Sequence, residues 1–178
     1  MILQPYNSLW PENFESIKAI LQTSISDSNI RIEHIGSTSV IGLAAKPIID
    51  IDLIYPPSVN FLSVKECLEK IGYIHNGDQG IPGREVFKRP GDAGFHKVLD
   101  SISHHLYVCS TDSEELKRHI LFRNFLRDHE PARIEYQNLK YAIAADSKGD
   151  RKIYANLKQI RAREFILSIV EMAKNDIQ

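Results

Sequence analysis

A predicted strand that carries two aspartates constrains this chain more than any other feature. Residues 47–54 have the sequence PIIDIDLI, whose isoleucines and leucine favour a pleated, half-buried strand. Because side chains alternate along a strand, Asp50 and Asp52 face one side of the sheet while their apolar neighbours face the core. Two carboxylates on one face repel each other, and desolvation is costly for both. A divalent cation with oxygen ligands, Mg²⁺ or Mn²⁺, is the simplest way to offset that cost.

A short turn rich in backbone donors precedes the strand. It follows a first predicted strand over residues 30–35 and consists of Gly36, Ser37, Thr38 and Ser39. Glycine lets the backbone approach a ligand closely, and successive amides in such a turn can hold an anion. A phosphate-binding turn beside a strand with two acids suits phosphoryl or nucleotidyl transfer, where catalysis comes mainly from positioning and charge neutralisation.

The order of the turn and the strand resembles the signature of an enzyme superfamily. Gly36-Ser37, followed by Asp50-x-Asp52 on a strand, is similar to the motif of the nucleotidyltransferase superfamily that includes DNA polymerase beta. The longer string HIGSTSVIGLAAKPIIDI closely resembles the GrpB family, a group of small bacterial proteins placed in that superfamily fold. The strings YNSLW, FRNFLR and YQNLK resemble further GrpB segments, so the resemblance covers most of the chain. It implies the nucleotidyltransferase-like fold.

Periodicity and turn residues predict one α/β (α+β) domain over residues 1–178. A short mixed sheet with packed helices takes up about residues 1–110, and a segment of three helices takes up about residues 111–178. Strands are predicted over residues 30–35, 47–54, 73–75, 84–89 and 104–109, the last two antiparallel and joined through a turn over residues 90–94. Helices are predicted over about residues 11–26, 59–71 and 151–174, with two more between Ser113 and Ala145 that are divided at Pro131.

The strand over residues 104–109 is where the chain departs from the superfamily pattern. Its alternation places His105 and Tyr107 on one face, and we expect both to share a cleft with the two aspartates. Active nucleotidyltransferases usually carry a third acid on such a strand, whereas the GrpB resemblance implies a histidine there. A neutral imidazole can bind a metal or relay a proton. Glu85 on the neighbouring strand is the candidate substitute for the third acid. The alternative is that Glu85 is only a solvated acid at the edge of the sheet.

Further candidate residues surround the predicted cleft. His34 could contact a phosphate or be structural, and Lys46 could neutralise a phosphate or hold the charge of an acid. The resemblance makes Arg123, Lys140 and Lys158 look like GrpB family positions. These residues predict a basic helical surface that faces the acids across the cleft and binds a triphosphate. The alternative is a solvated helix surface whose basic residues form ion pairs within the helix.

Composition limits the partners and the compartment. The formal net charge of −1 makes nucleic acid an improbable partner for the whole molecule, and the same holds for an anionic membrane. The start of the chain lacks the pattern of a signal peptide, and no apolar run is long enough to span a bilayer. Neither of the two cysteines has metal-site spacing. We therefore predict a cytoplasmic protein with reduced thiols.

Three functions remain open from the sequence. The first is a metal-dependent nucleotidyltransferase that transfers a nucleotidyl group from a nucleoside triphosphate (NTP) to an acceptor hydroxyl. The alternative is a non-catalytic module of the same fold that binds a nucleotide or a coenzyme-A-like ligand. The missing third acid favours the module, as does the occurrence of GrpB-like domains fused to dephospho-coenzyme A kinases. A protein-interaction domain is the weaker third possibility.

Overall fold

The strands and most of the helices follow the order predicted from the sequence. The computed structural model describes residues 2–25, 27–91 and 96–176. In these ranges the strands are β1 (Arg31–Ile35), β2 (Ile49–Tyr55), β3 (Ile74–His75), β4 (Arg84–Lys88) and β5 (His104–Ser110). The helices are α1 (Leu9–Ser24), α2 (Phe61–Lys70), α3 (Lys97–Ser101), α4 (Glu114–Asp128), α5 (Glu130–Asp146), α6 (Arg151–Arg161) and α7 (Arg163–Asn175). The predicted turn over residues 90–94 falls in part outside the described residues.

The strands form one mixed sheet in the order β1-β2-β5-β4-β3. β2 and β5 pair in parallel at its centre, and the outer pairs are antiparallel. The predicted mixed sheet is therefore confirmed, and so is the antiparallel pairing of β4 with β5. The connection between those two strands contains the short helix α3, which the sequence pattern did not predict.

The main core lies between one face of the sheet and the helices α1, α2 and α3. The inward residues of β2, Ile49, Ile51 and Leu53, are fully buried there. Helix α1 covers them with apolar residues at helical spacing, including Phe14 and Ile17. Because alternate residues of β2 point into this core, the two aspartates of that strand must face the opposite side.

Helix α4 covers part of that opposite side, and the remaining C-terminal helices pack beyond it. Leu116 of α4 is buried against Ile54 of β2. The predicted third helix over residues 151–174 is wrong in one respect, because it breaks at the buried residue Ala162 into α6 and α7. The two halves bury residues in different apolar clusters, Tyr154 in one and Ile169 in the other, and a straight helix would not reach both. Within the described ranges, no helix is long and apolar enough to cross a membrane.

Candidate active site

The two aspartates share a face of the sheet with His105 and Tyr107, as strand alternation predicts. Asp50 lies beside His105 in the β2–β5 register, and Asp52 lies beside Tyr107. Residues that are directly opposite on paired strands point to the same face. Asp50 is half-buried, whereas Asp52 is 0% exposed beneath helix α4. The face therefore carries one accessible acid and one buried acid.

The Gly-Ser turn, residues Gly36 to Ser39, lies directly against Asp50. Gly36 has a φ of +70°, and a Cβ atom added there would stand 2.3 Å from Asp50 Oδ2. The backbone N–H and the hydroxyl of Ser39 both donate to the Gly36 carbonyl, which closes the turn. Only glycine meets both requirements, because it has no Cβ and tolerates positive φ.

We expect Gly36→Ala to destabilise the protein by about 1–3 kcal/mol and to displace the Asp50 carboxylate, since the new methyl group meets positive-φ strain and the Oδ2 atom together. Gly80→Ala is the matched control, because Gly80 has a φ of +79° and no atom within 4 Å of an added Cβ. Urea unfolding of both variants measures the difference. Equal destabilisation by the two changes would contradict a special role for the contact between Gly36 and Asp50.

Ser37 contacts a buried lysine on the other side of the turn. Lys140 Nζ of α5 lies 3.1 Å from Ser37 Oγ and also donates to the Ala44 carbonyl oxygen. Lys140 is 1% exposed, and burial together with the Lys158 ammonium lowers its pKa to about 6. The Lys140 amine also stands 4.9 Å from the ring centre of Tyr136. Its contacts in the described residues are thus a hydroxyl, a carbonyl oxygen and an aromatic ring, and none of these carries a full negative charge.

Two further lysines lie near Lys140, and we call Lys46, Lys140 and Lys158 the lysine cluster. Lys46 Nζ stands 4.4 Å from the ring centre of Tyr154. Burial and the charge of Lys158 lower the pKa of Lys46, whereas Asp50 raises it. The neighbouring Tyr136 is the largest influence that raises the pKa of Lys158, and Asp50 adds to it. The cluster thus borders Asp50, so that cationic and anionic side chains meet at the Gly-Ser turn.

His119 on α4 is the main site residue that the sequence analysis missed. Its Nδ1 atom lies 2.8 Å from Asp52 Oδ2, and its Nε2 atom lies 3.2 Å from Glu115 Oε1. Burial would lower the pKa of His119, but its hydrogen bonds to the two acids outweigh burial and raise the pKa to about 9. The available sequence signal was a glutamate four residues before a histidine, which places both on one helix face.

The two oxygens of Asp52 have different surroundings. Oδ2 accepts the hydrogen bond from His119, whereas Oδ1 is buried without a hydrogen-bond partner among the described residues. Burial raises the pKa of Asp52, and the charge of Asp50 contributes less. Desolvation, rather than repulsion between the two acids, is therefore the main cause of the raised pKa of Asp52.

His105 and Tyr107 complete the face on β5. His105 Nδ1 lies 2.8 Å from Asp50 Oδ1, and more than half of the His105 side chain is exposed. The Tyr107 ring lies between the two histidines, with ring centres 6.2 Å from His105 and 6.1 Å from His119. Each aspartate therefore has one histidine as its hydrogen-bond partner.

Sequence comparison identifies the family of the chain. A family model described as "GrpB protein" matches residues 1–171. The chain belongs to the GrpB family. "UPF0157 protein YqkA" from Bacillus subtilis is 35% identical over 170 residues, which cover 95% of this chain and 46% of the relative. "Glutamate-rich protein GrpB" from Alkalihalophilus pseudofirmus is 31% identical, with 89% of this chain and 90% of the relative covered. The chain therefore spans about half the length of the first relative and about nine-tenths of the second.

Comparison with solved structures supports the family and the fold. The conserved protein GrpB from Enterococcus faecalis has a TM-score of 0.78 and 31% identity, with 99% of both chains covered. A structure of a cytoplasmic RNA terminal U-transferase has a TM-score of 0.52 and 14% identity, with 81% of this chain and 43% of that chain covered. At that identity the likeness concerns the fold alone, and it confirms the predicted nucleotidyltransferase-like fold class.

Glu85 does not fill the place of the third acid in this GrpB-family structure, and that expectation is corrected. Glu85 lies opposite Val108 in the β4–β5 register, so it faces the core side of the sheet. Its carboxylate lies 2.6 Å from His75. On the face of the aspartates, Glu33 of β1 is beside Asp52, but an ion pair with Arg123 at 2.7 Å occupies it.

Arg123 is likewise corrected, because it belongs to the frame of the site and does not reach into the cleft. Its Nη1 atom donates to Glu33 and, at 2.9 Å, to the His34 carbonyl oxygen. Arg123 is 8% exposed. Because the guanidinium charge is already paired with Glu33, this side chain is not available to grip a phosphate.

His34 and Thr38 support the Gly-Ser turn from the core side. The structural alternative therefore holds for His34, and the phosphate-binding role expected for Thr38 is corrected. The His34 ring stacks on Phe14 of α1 with ring centres 4.8 Å apart, and burial lowers its pKa to about 4. Its Nε2 atom lies 2.9 Å from Thr38 Oγ1, which donates in turn to the Ile48 carbonyl oxygen. A buried hydroxyl held in this way does not face a ligand.

Asp50 and Asp52 are the residues of this site that could hold a magnesium or manganese ion. Asp52 presents a buried oxygen without a partner, and Asp50 Oδ2 faces the glycine of the turn. Carboxylates that bind metals are themselves usually held by hydrogen bonds, as His105 and His119 hold these two. No group of three or more His, Cys, Asp or Glu residues suited to a metal occurs in the described part of the chain. Mg²⁺ typically needs only one or two carboxylates when phosphates and water supply its other ligands.

Proposed function

We propose that this GrpB-family chain is a metal-dependent nucleotidyltransferase that uses an NTP. Asp50 and Asp52 hold Mg²⁺ or Mn²⁺, and the lysine cluster receives the phosphates. One observation carries the proposal: Asp50 lies against Gly36, and the next residue, Ser37, contacts the buried Lys140. Acidic and basic side chains thus flank a single turn, as a metal–polyphosphate complex requires.

The groups proposed to bind the metal and the phosphates lie on two sides of the Gly-Ser turn. Because Gly36 has no Cβ, the turn packs directly against the Asp50 carboxylate, with no room for a side chain between them. Lys140, Lys46 and Lys158 balance the phosphate charge from the opposite side. A metal ion, when bound, neutralises charge on the phosphates and aligns the α-phosphate for in-line attack. Because these groups mainly position and neutralise, they suit nucleotidyl transfer better than acid–base hydrolysis.

The acceptor is best sought among small hydroxyl compounds. One protein of similar fold is an RNA terminal U-transferase. This chain has a net charge of −1 and lacks the strong positive charge that usually accompanies nucleic-acid binding. The proposal therefore assigns an NTP as donor and leaves RNA as a comparison substrate in the assay.

A non-catalytic module that binds a nucleotide or a coenzyme-A-like ligand is the second candidate. The observation that favours it is the histidine and tyrosine on β5 beside the two aspartates, where superfamily enzymes carry a third acid. Such a module would keep the lysine cluster and the turn, and it would bind phosphates without cleaving them.

The experiment pairs binding with pyrophosphate release. Thermal shift is measured for each NTP and for coenzyme A, with and without Mg²⁺ or Mn²⁺, and a ligand at 100 times its Kd should add about 2.7 kcal/mol. Pyrophosphate release is then followed with a panel of hydroxyl acceptors that includes RNA. Metal-dependent NTP binding with release supports the transferase, and binding without release supports the module. A protein that binds neither NTP nor coenzyme A contradicts both.

A further inference from the structure

Helix α4 carries a stripe of polar residues toward the site. Glu115, His119, Arg123 and Arg127 follow one another at intervals of four residues, so they lie along one face of the helix. We call these four residues the α4 stripe. Charged residues on a helix usually face solvent, yet Arg123 is buried and Glu115 and His119 are half-buried, while Arg127 is exposed. The burial of the first three residues calls for a structural or functional explanation.

The two arginines of the stripe bind the backbone on both sides of the Gly-Ser turn. Arg123 donates to the His34 carbonyl oxygen, two residues before Gly36. Arg127 donates twice to the Ser39 carbonyl oxygen, at 2.8 and 3.0 Å. A guanidinium that bonds a carbonyl oxygen through two nitrogens constrains direction as well as distance. The stripe therefore ties the turn to α4 at both ends.

His119 ties the buried acid to the same helix. Within the described residues, His119 is the side chain that forms a hydrogen bond with Asp52, between its Nδ1 atom and Asp52 Oδ2. Its other nitrogen is held by Glu115, whose own carboxylate is paired with Arg118. The ring thus has a partner at each end, and its orientation is determined. Because the carboxylate is planar, the hydrogen bond at Oδ2 also fixes the direction of the second oxygen of Asp52, the unpartnered Oδ1.

We propose that His119 is a positioning residue for Asp52, which it turns so that Oδ1 faces the metal held with Asp50. The inference rests on the proposed function, since it concerns the metal assigned there. His119 does not touch the metal or the phosphates, and it acts only through the carboxylate. Because the same helix holds the Gly-Ser turn, α4 sets the acid and the phosphate-binding turn in register with each other.

The test compares His119→Leu with His119→Asn. Leucine removes the hydrogen bond, whereas the asparagine amide nitrogen occupies about the position of Nδ1 and restores a donor. His75→Leu is the matched control, because it breaks a comparable pair with Glu85 on the opposite face of the sheet. The Mn²⁺ affinity of each protein is measured from the EPR signal of free Mn²⁺, in the presence of an unreactive NTP analogue. Urea unfolding of the metal-free proteins records stability separately.

We expect His119→Leu to weaken Mn²⁺ binding by about 10–100-fold, the usual effect of removing a residue that orients a metal ligand. His119→Asn should recover most of the affinity, and His75→Leu should bind Mn²⁺ as the wild type does even where it unfolds more easily. The inference is overturned if His119→Leu binds Mn²⁺ normally, or if asparagine and leucine weaken binding equally. A wild-type protein that binds no Mn²⁺ contradicts the proposed function itself, which distinguishes the two failures.

Discussion

Asp50→Asn and Asp52→Asn are each expected to abolish the stabilisation by metal plus nucleotide and to lower any transferase rate by about 10²–10³-fold or more. Asparagine keeps the shape of the side chain but removes the negative charge that binds a divalent cation. Loss of one preorganised electrostatic group commonly has an effect of that size. The measurements are thermal shift with Mn²⁺ and NTP, and pyrophosphate release. Glu85→Gln, which changes an acid on the opposite face, should leave both unchanged.

The two aspartate variants should differ in metal-free stability. From the sequence, we expect removal of either acid to relieve repulsion and leave the protein as stable or more stable. The structure supports that expectation for Asp50, whose pair with His105 is largely exposed and contributes at most about 1 kcal/mol. Asp52→Asn is now expected to cost about 1–3 kcal/mol, because it removes a buried charge-assisted hydrogen bond from His119. Strong destabilisation by both changes, with no metal response in the wild type, would make the acids structural and would exclude the catalytic proposal.

Lys140→Met should weaken the binding of NTP and of inorganic triphosphate by about 10–100-fold. Methionine fills similar volume but cannot offer a cation to the phosphate beside Ser37, and a hydrogen bond to a charged group contributes about 1.5–3 kcal/mol. Titration calorimetry with triphosphate measures the loss. Lys152→Met, an exposed position on α6, is the matched control for removing one positive charge. Equal affinities of the two variants would show that Lys140 is only structural.

Binding should also depend on pH through Lys140. Its pKa of about 6 leaves the amine mostly neutral at pH 7–8.5 in the ligand-free protein, and a nearby phosphate favours the charged form. Binding therefore takes up a proton, and the affinity should fall as pH rises, by at most about tenfold per unit. Calorimetry in buffers with different ionisation enthalpies measures the uptake. It should vanish in Lys140→Met, and wild-type binding without uptake would contradict the neutral amine.

Lys140 also makes the stability of the ligand-free protein depend on pH. Between pH 6 and its ordinary pKa of 10.5, Lys140 binds a proton in the unfolded chain but not in the folded one. Stability should therefore rise with pH in this window on account of Lys140. His119 acts in the opposite direction, because its raised pKa adds stability below about 6.5 that is lost as pH passes through about 9. The difference in unfolding free energy between wild type and Lys140→Met isolates the destabilising contribution of the lysine. That contribution should diminish as pH increases.

Strand alternation made part of the site predictable. The pattern of β2 placed Asp50 and Asp52 on one face, and the pattern of β5 placed His105 and Tyr107 together. Both predictions needed only the two-residue period of a strand, which is a local property of the backbone. Gly36 was also recognisable, since a glycine before a Ser-Thr-Ser turn indicates positive φ or close approach.

Residues on other elements were placed less well. Glu85 was assigned to the wrong face, because the face of β4 depends on its register with β5 and not on its own alternation. Arg123 was assigned to a basic wall facing the cleft, but its guanidinium pairs with Glu33, which lies 90 positions away in the sequence. The break of the last helix at Ala162 has no glycine or proline to signal it.

By itself, the sequence determined the strand with two acids, the Gly-Ser turn and the family resemblance, because these depend on residues that are close along the chain. Only the tertiary structure decided which groups meet the two carboxylates. His119 reaches Asp52 because α4 packs across the sheet, and Lys140 reaches Ser37 because α5 packs against the turn. Such contacts join distant segments through packing of helices on a sheet, and no local period encodes that packing. The charge balance of the site is therefore a property of the fold rather than of any single motif.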